Sequence, residues 1–203
     1  MTRRMDDGNS AQRHSRMEVE PIRRMEDISA IKELLRDHPR NLLLFSLGIN
    51  NGLRAGDLLR VTVNEVRNLC PGQSVTIVEK RSGRENTLVL HRGAHEALER
   101  HLANLMPPPE PGNMYLFASQ RGWTPLTTQR LDELVREWTR AAHLRGSYGA
   151  HTLRKTFGYV QRVFFGVGLD VLARRFNHDS PLVTARYLGL NADLPSSPLL
   201  NEI

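Results

Sequence analysis

The chain has 203 residues, 39% of them hydrophobic and 25% charged, which suits one globular core with room for an arm. Twenty-eight lysines and arginines against twenty-two acids give a formal charge of +6, a balance that favours a polyanionic partner such as nucleic acid over an acidic small molecule. The one cysteine, Cys70, excludes an internal disulfide or a Cys-cluster zinc site and is expected to be a small buried hydrophobe. No stretch reaches the roughly 18 consecutive apolar residues of a membrane span. The polar N-terminus also lacks a signal-peptide core, so a cytoplasmic protein is expected, with no membrane partner.

Residues 1–24 read as a disordered arm: they carry Arg3, Arg4, Arg13 and Arg16 and few side chains able to pack. A first helix is expected from Asp27 as cap, with Ile28, Ile31, Leu34 and Leu35 at helical spacing. Pro39 suits the first position of a second, buried helix through Leu42, Phe45, Leu47 and Ile49, and Asn50-Asn51-Gly52 stops it. Arg54 then falls in a turn, followed by a short helix through Leu59. Taken alone, Arg54 reads as a surface arginine lying over an apolar helix.

Val75–Val78 and Asn86–Leu90 flank Lys80-Arg-Ser-Gly83-Arg84 and predict a β-hairpin with a basic tip. Lys80 at the end of the first strand either reaches out toward a ligand or guards a strand edge; its residue type alone leaves both open. A helix is expected over 93–106, then a loop at Pro107–Gly112, which separates two halves of one domain, and a short strand at Tyr115–Phe117. Thr127 or Thr128 caps a helix whose stripe of Leu131, Leu134, Val135, Trp138 and Ala142 is a core face.

Gly146 and Gly149 punctuate a loop leading to His151 and Arg154, one helical turn apart on the same face. A further helix through Leu169, Leu172 and Phe176 ends at Asn177-His178. Ser180-Pro181 starts the last one, which holds Thr184 and Tyr187 and stops at Gly189. Two histidines, two arginines and a tyrosine among apolar helices suit a phosphate-like group, since each can donate a proton or hydrogen bond to oxygen.

From about Met25 to Leu190 this ordered set resembles the catalytic domain of the tyrosine recombinase, or phage integrase, family. The resemblance rests on Gly52-Leu53-Arg54 after an apolar helix, Lys80 on a hairpin, His151-Thr-Leu-Arg154, His178, and Tyr187 nine residues later. Asp57 stands where Glu is usual, Phe176-Asn177 replaces Leu-Gly, and Lys155 replaces a frequent His. The resemblance implies a mainly helical α+β fold, with a small antiparallel sheet near residues 75–90 on one side of a helical core. It implies a catalytic domain at 25–190, either native or a fragment, since the preceding residues are too few for the family's clamp domain. It also implies that the tail 191–203 docks on a neighbouring protomer.

The implied activity is site-specific DNA strand exchange through a 3′-phosphotyrosyl enzyme. Its partners would be double-stranded DNA and further copies of the chain in a tetrameric synapse, with no cofactor or metal. Tyr187 would be the nucleophile, Arg54 and Arg154 the phosphate ligands, His151 the base, His178 a hydrogen-bond donor and Lys80 the general acid. Arg81, Arg84 and Lys155 are further DNA-contact candidates. The rivals are a type IB topoisomerase-like relaxing activity and a non-catalytic DNA-binding or regulatory remnant.

Overall fold

The computed structural model describes residues 18–105, 114–119 and 124–190. The expected proline loop, the tail after residue 190 and most of the arm lie outside them. Residues 18–24 belong to the expected arm yet run extended against the body, where Ile22 is fully buried and its N–H donates to Thr156 Oγ1 at 2.9 Å. Helix α1 (Met25–Leu34) starts ahead of the expected Asp27 cap, which places Glu26 and Asp27 in its first turn, where carboxylates meet the positive end of the helix.

Helix α2 (Pro39–Asn51) begins at Pro39 as expected and is stopped by Gly52 at φ +61°. Glycine is needed there twice over, because a Cβ would also collide with the Phe157 ring. The short helix α3 (Ala55–Leu58) follows, then α4 (Val63–Val66), a single turn too brief for periodicity to reveal. Its cap is legible in retrospect: Glu65 Oε2 accepts the Thr62 N–H at 2.6 Å.

Strands β1 (Ser74–Val78) and β2 (Glu85–Val89) form the expected antiparallel hairpin, in register from Ser74 opposite Val89 to Val78 opposite Glu85. Asn51, at the end of α2, imitates a further strand: its Oδ1 accepts the Val89 N–H at 2.7 Å and its Nδ2 donates to Val89 O at 3.2 Å. Cys70 is exposed, contrary to expectation, because it sits in the turn before β1, where Gln73 Oε1 accepts its N–H at 2.8 Å.

Helix α5 (Arg92–Ala103) packs on α2. The strand expected at Tyr115–Phe117 is reduced to isolated bridges, Thr62 with Tyr115 and Ala118 with Pro125. Leu116 and Phe117 are both buried, so the alternation a half-buried strand requires is missing. Helix α6 (Thr128–Ala141) is capped by Thr127, whose Oγ1 accepts the Arg130 N–H at 3.1 Å, and buries Leu131, Leu134, Val135 and Trp138.

Helices α7 (Ala150–Val163), α8 (Leu169–Phe176) and α9 (Pro181–Leu188) complete the described chain. The main core gathers α1, α2, α5, α6 and the hairpin, and Leu153 of α7 belongs to it. A smaller cluster of Leu172, Phe176, Leu188 and Leu190 packs with Phe157 and Tyr187. Helix α7 joins the two, and Gly158 lets α9 come close, since a Cβ there would stand 2.7 Å from Leu188. Arg154 of α7 and Tyr187 of α9 lie at this seam. Among the described residues, no helix is long and apolar enough to cross a membrane.

Candidate active site

The left-handed stop at Gly52 buries Leu53 and leaves Arg54 as the extended residue before α3. Its Nη1 pairs with Glu79, just past β1. Glu79 is completely buried and also accepts from Ser82 Oγ at 2.6 Å and Asn86 Nδ2 at 3.0 Å. Burial alone would raise its pKa; hydrogen bonds from Ser82, Asn86, Arg54 and Asn177 override that and hold it at about 2. Glu79 is therefore a fixed negative charge at neutral pH.

Lys80, the next residue, is exposed, and its backbone N–H donates to Asp57 Oδ1 at 3.0 Å. Asp57 is thus a link between the Arg54 turn and the hairpin. Its second oxygen, Oδ2, is buried without a hydrogen-bond partner among the described residues.

Arg154 is 4% exposed and cross-links the molecule: Nη1 donates to Gly52 O at 2.5 Å and Nη2 to Phe176 O at 2.7 Å. Its guanidinium lies 4.5 Å over the Phe176 ring. Burial pulls its pKa down to about 10, with Tyr187 and Glu79 opposing and Arg54 assisting, so it stays charged at neutral pH. Arg175 of α8 makes a second cross-link, from Nε to Asn51 O at 3.1 Å and from Nη2 to Thr87 O at 2.6 Å, and it also binds Asn86 Oδ1.

His151 is exposed in the first turn of α7. His178 follows Asn177, which ends α8 at φ +51°. The Nδ1 of His178 is 3.0 Å from Oγ1 of the fully buried Thr184. Burial, then Arg154 and Arg54, push the His178 pKa down, so the ring is neutral at neutral pH.

The Tyr187 ring is boxed edge-on by His178 at 5.2 Å and Phe176 at 5.8 Å, with Lys155 Nζ at 5.0 Å from its centre. Its hydroxyl is buried and makes no hydrogen bond of full geometry among the described residues, although Arg154 lies near enough to pull on it as a donor would. Burial pushes its pKa up to about 12, against the pull of Arg154 and Arg54.

Of the residues singled out in the sequence, Arg54, Arg154, His178 and Tyr187 meet in one cluster; Lys80 and His151 are exposed. Arg81 and Arg84 are exposed at the hairpin tip. Lys155 is different: it is 5% exposed and bonded to Glu18 Oε1 at 2.5 Å, so in this structure it underlies the tyrosine rather than facing solvent.

Sequence reasoning overlooked Glu79 and Arg175, although a signal existed for each. Glu79 lies two residues after the buried Ile77, on the inward face by strand alternation, and Arg175 lies one turn after the buried Leu172.

Residues 19–193 match the model of the phage integrase family. A relative, the probable integrase/recombinase YoeC of Bacillus subtilis (strain 168), is 32% identical over 178 residues, covering 86% of this chain and 92% of that protein. The fold is similar to that of XerA recombinase, with a TM-score of 0.70 at 18% identity over 86% of this chain and 62% of that one. XerH site-specific recombinase bound to palindromic difH substrate gives 0.68 at 22% identity over 80% of this chain and 47% of its own. A lambda integrase dimer bound to a COC′ core site gives 0.61 at 14% identity over 90% and 52%. The chain thus spans less than two thirds of those three solved chains and nearly the full length of the Bacillus relative. The matched length and the fold together establish that this chain belongs to the phage integrase family, the tyrosine recombinases, which are enzymes that cleave and rejoin DNA.

Proposed function

We propose that the chain is a site-specific DNA recombinase whose nucleophile is Tyr187. The observation that carries this reading is a buried guanidinium beside a buried tyrosine: Arg154 lies 4.5 Å over the Phe176 ring, which packs edge-on against Tyr187 at 5.8 Å, and Arg54 adds its charge to the same phenol. Tyr187 Oη attacks the scissile phosphorus, and the bond from phosphorus to the 5′ oxygen breaks. The phenol proton passes to His151, and Lys80 protonates the departing 5′ oxygen. Arg54 and Arg154 oppose the charge that grows on the non-bridging oxygens, and their planar forks suit phosphate. His178 donates a hydrogen bond to the same phosphate.

The 3′-phosphotyrosyl ester keeps the bond energy, so attack by a new 5′-hydroxyl reverses each transfer without a nucleotide or metal. Because Tyr187 Oη is buried in the bare protein, α9 has to shift before that oxygen meets a backbone phosphate. Arg81 and Arg84 would grip the duplex, and exchange between two duplexes would require a tetramer of the chain, with the tail 191–203 docking between protomers. Such a protein would serve a mobile element.

The comparisons favour recombination over the relaxing and non-catalytic alternatives, since the named relatives are recombinases. A nicked duplex carrying the junction sequence that flanks the gene should trap a covalent adduct with wild type and none with Tyr187→Phe. Adduct with both proteins, or with neither, would overturn the assignment. Relaxation of a plasmid lacking that sequence would instead indicate a topoisomerase.

A further inference from the structure

Glu79 has no part in the reaction as described, yet it is a completely buried carboxylate at the back of the phosphate site. Burying a charge is costly unless it is paired and hydrogen-bonded, and Glu79 is both. On one side it binds Arg54 Nη1, and the Arg54 side chain is 25% exposed, so part of the guanidinium can face a ligand. On the other it accepts from Ser82 in the hairpin turn and Asn86 on β2. The same turn is closed through its own backbone, since Glu79 N–H donates to Arg84 O and Gly83 N–H to Glu79 O, both at 2.9 Å. Lys80 is the first residue of that turn.

Arg54 and Arg154 also repel each other, and Glu79 opposes the repulsion: it favours the charged form of Arg154, which Arg54 disfavours. One carboxylate therefore sets the direction of Arg54, tempers the positive charge of the pocket and anchors the strand end that carries Lys80.

We propose that Glu79 is a positioning residue for DNA cleavage, aiming the Arg54 guanidinium at the scissile phosphate and tying the Lys80 hairpin to it. This rests on the recombinase reading. Its consequence is a split between binding and chemistry. Without the carboxylate the pocket is more positive and holds ground-state DNA more tightly, while Arg54 and Lys80 lose the geometry that favours the transition state.

The test uses the full chain and the nicked duplex carrying the junction sequence. Single-turnover adduct formation reads the chemistry; Kd for the same duplex, measured in the Tyr187→Phe background, reads binding alone. Glu79→Gln keeps the shape and removes the charge. Its cleavage is expected to slow roughly tenfold to a hundredfold, the scale of a small misplacement of catalytic groups, while Kd falls. Glu79→Asp restores the charge on a shorter arm and is expected to recover part of the rate and bring Kd back toward wild type.

Unchanged cleavage in a folded Glu79→Gln protein, or parallel losses of binding and cleavage with no rescue by Asp, would overturn the proposal. If Glu79→Gln does not fold, Glu79→Asp decides alone: cleavage slowed more than binding supports the role, and equal losses refute it. Absence of any wild-type adduct would overturn the recombinase reading itself, a result that involves no Glu79 variant.

Discussion

Arg154 and Arg54 are fixed by bonds that cross the molecule, whereas the hydroxyl of Tyr187, which they flank, makes no hydrogen bond of full geometry among the described residues. Arg154 ties the carbonyl that ends α2 to the carbonyl that ends α8, and Arg54 is held by a buried carboxylate. Tyr187 Oη is enclosed among rings, on a two-turn helix whose outer residues Leu182 and Val183 are exposed. The half proposed to hold phosphate is thus part of the fold, its orientation set by bonds within the protein. The proposed nucleophile is buried with its proton, and on the recombinase reading it has to be brought out. Variants on the two sides should separate stability from chemistry in opposite ways.

Arg154→Gln should show the broadest effect, because it strikes both stability and rate. It removes a proposed phosphate ligand, for which losses of about 10²–10³ in rate are typical of oxyanion-stabilising groups. It also leaves the buried carbonyls of Gly52 and Phe176 short of donors, at a cost of about 1–3 kcal/mol for each group left unsatisfied. Urea unfolding and single-turnover adduct formation would report the two losses. Arg154→Lys should fail as well, since one ammonium does not span both carbonyls. A variant that loses activity at wild-type stability would break the contrast drawn here.

Lys80→Ala should cost activity alone. The side chain is exposed, so stability should stay within about 0.5 kcal/mol, while loss of the general acid proposed here slows cleavage by about 10²–10⁴. A substrate with sulfur in place of the departing 5′ oxygen needs little proton donation, because a thiol is far more acidic than an alcohol, and should restore most of the rate. Equal slowing on both substrates would mean that Lys80 serves the phosphate and not the leaving group.

The two halves also differ in how far they were legible. Helix punctuation placed Arg54, His178 and Tyr187 well: Pro39, Gly52, Ser180-Pro181 and Gly189 act where their backbone preferences say they should. Residue types and order then pointed to phosphate chemistry. What stayed hidden depends on contacts between segments remote in sequence. Glu79 looks like any strand-end acid until Arg54 and Asn86 are seen around it, and Arg175 like a solvent-facing cation until it reaches Asn51 and Thr87. Lys155 looked like a DNA contact, because its burial against Glu18 depends on a segment distant in the sequence. Cys70 was misread through residue type, since its turn, not its hydrophobicity, decides its exposure.

The smallest effect tests the stored nucleophile and carries an unusual sign. Tyr187→Phe removes the proposed attacking oxygen, yet it should raise the stability of the protein by about 1 kcal/mol, because that hydroxyl is buried without a hydrogen bond of full geometry among the described residues. The pH dependence sharpens this. The buried phenol holds its proton up to about 12, while an unfolded tyrosine releases it near its ordinary value of 10. Below pH 10 both states keep the proton and the gap between the variants is constant. As pH rises from 10 toward 12 only the unfolded wild type ionises, so wild type loses stability that Tyr187→Phe keeps, and the gap widens. Chemical denaturation of both proteins at neutral pH and above pH 10 measures it. A loss of stability in Tyr187→Phe at neutral pH would mean that the hydroxyl is bonded in solution, and the nucleophile would then be as firmly held as the arginines beside it.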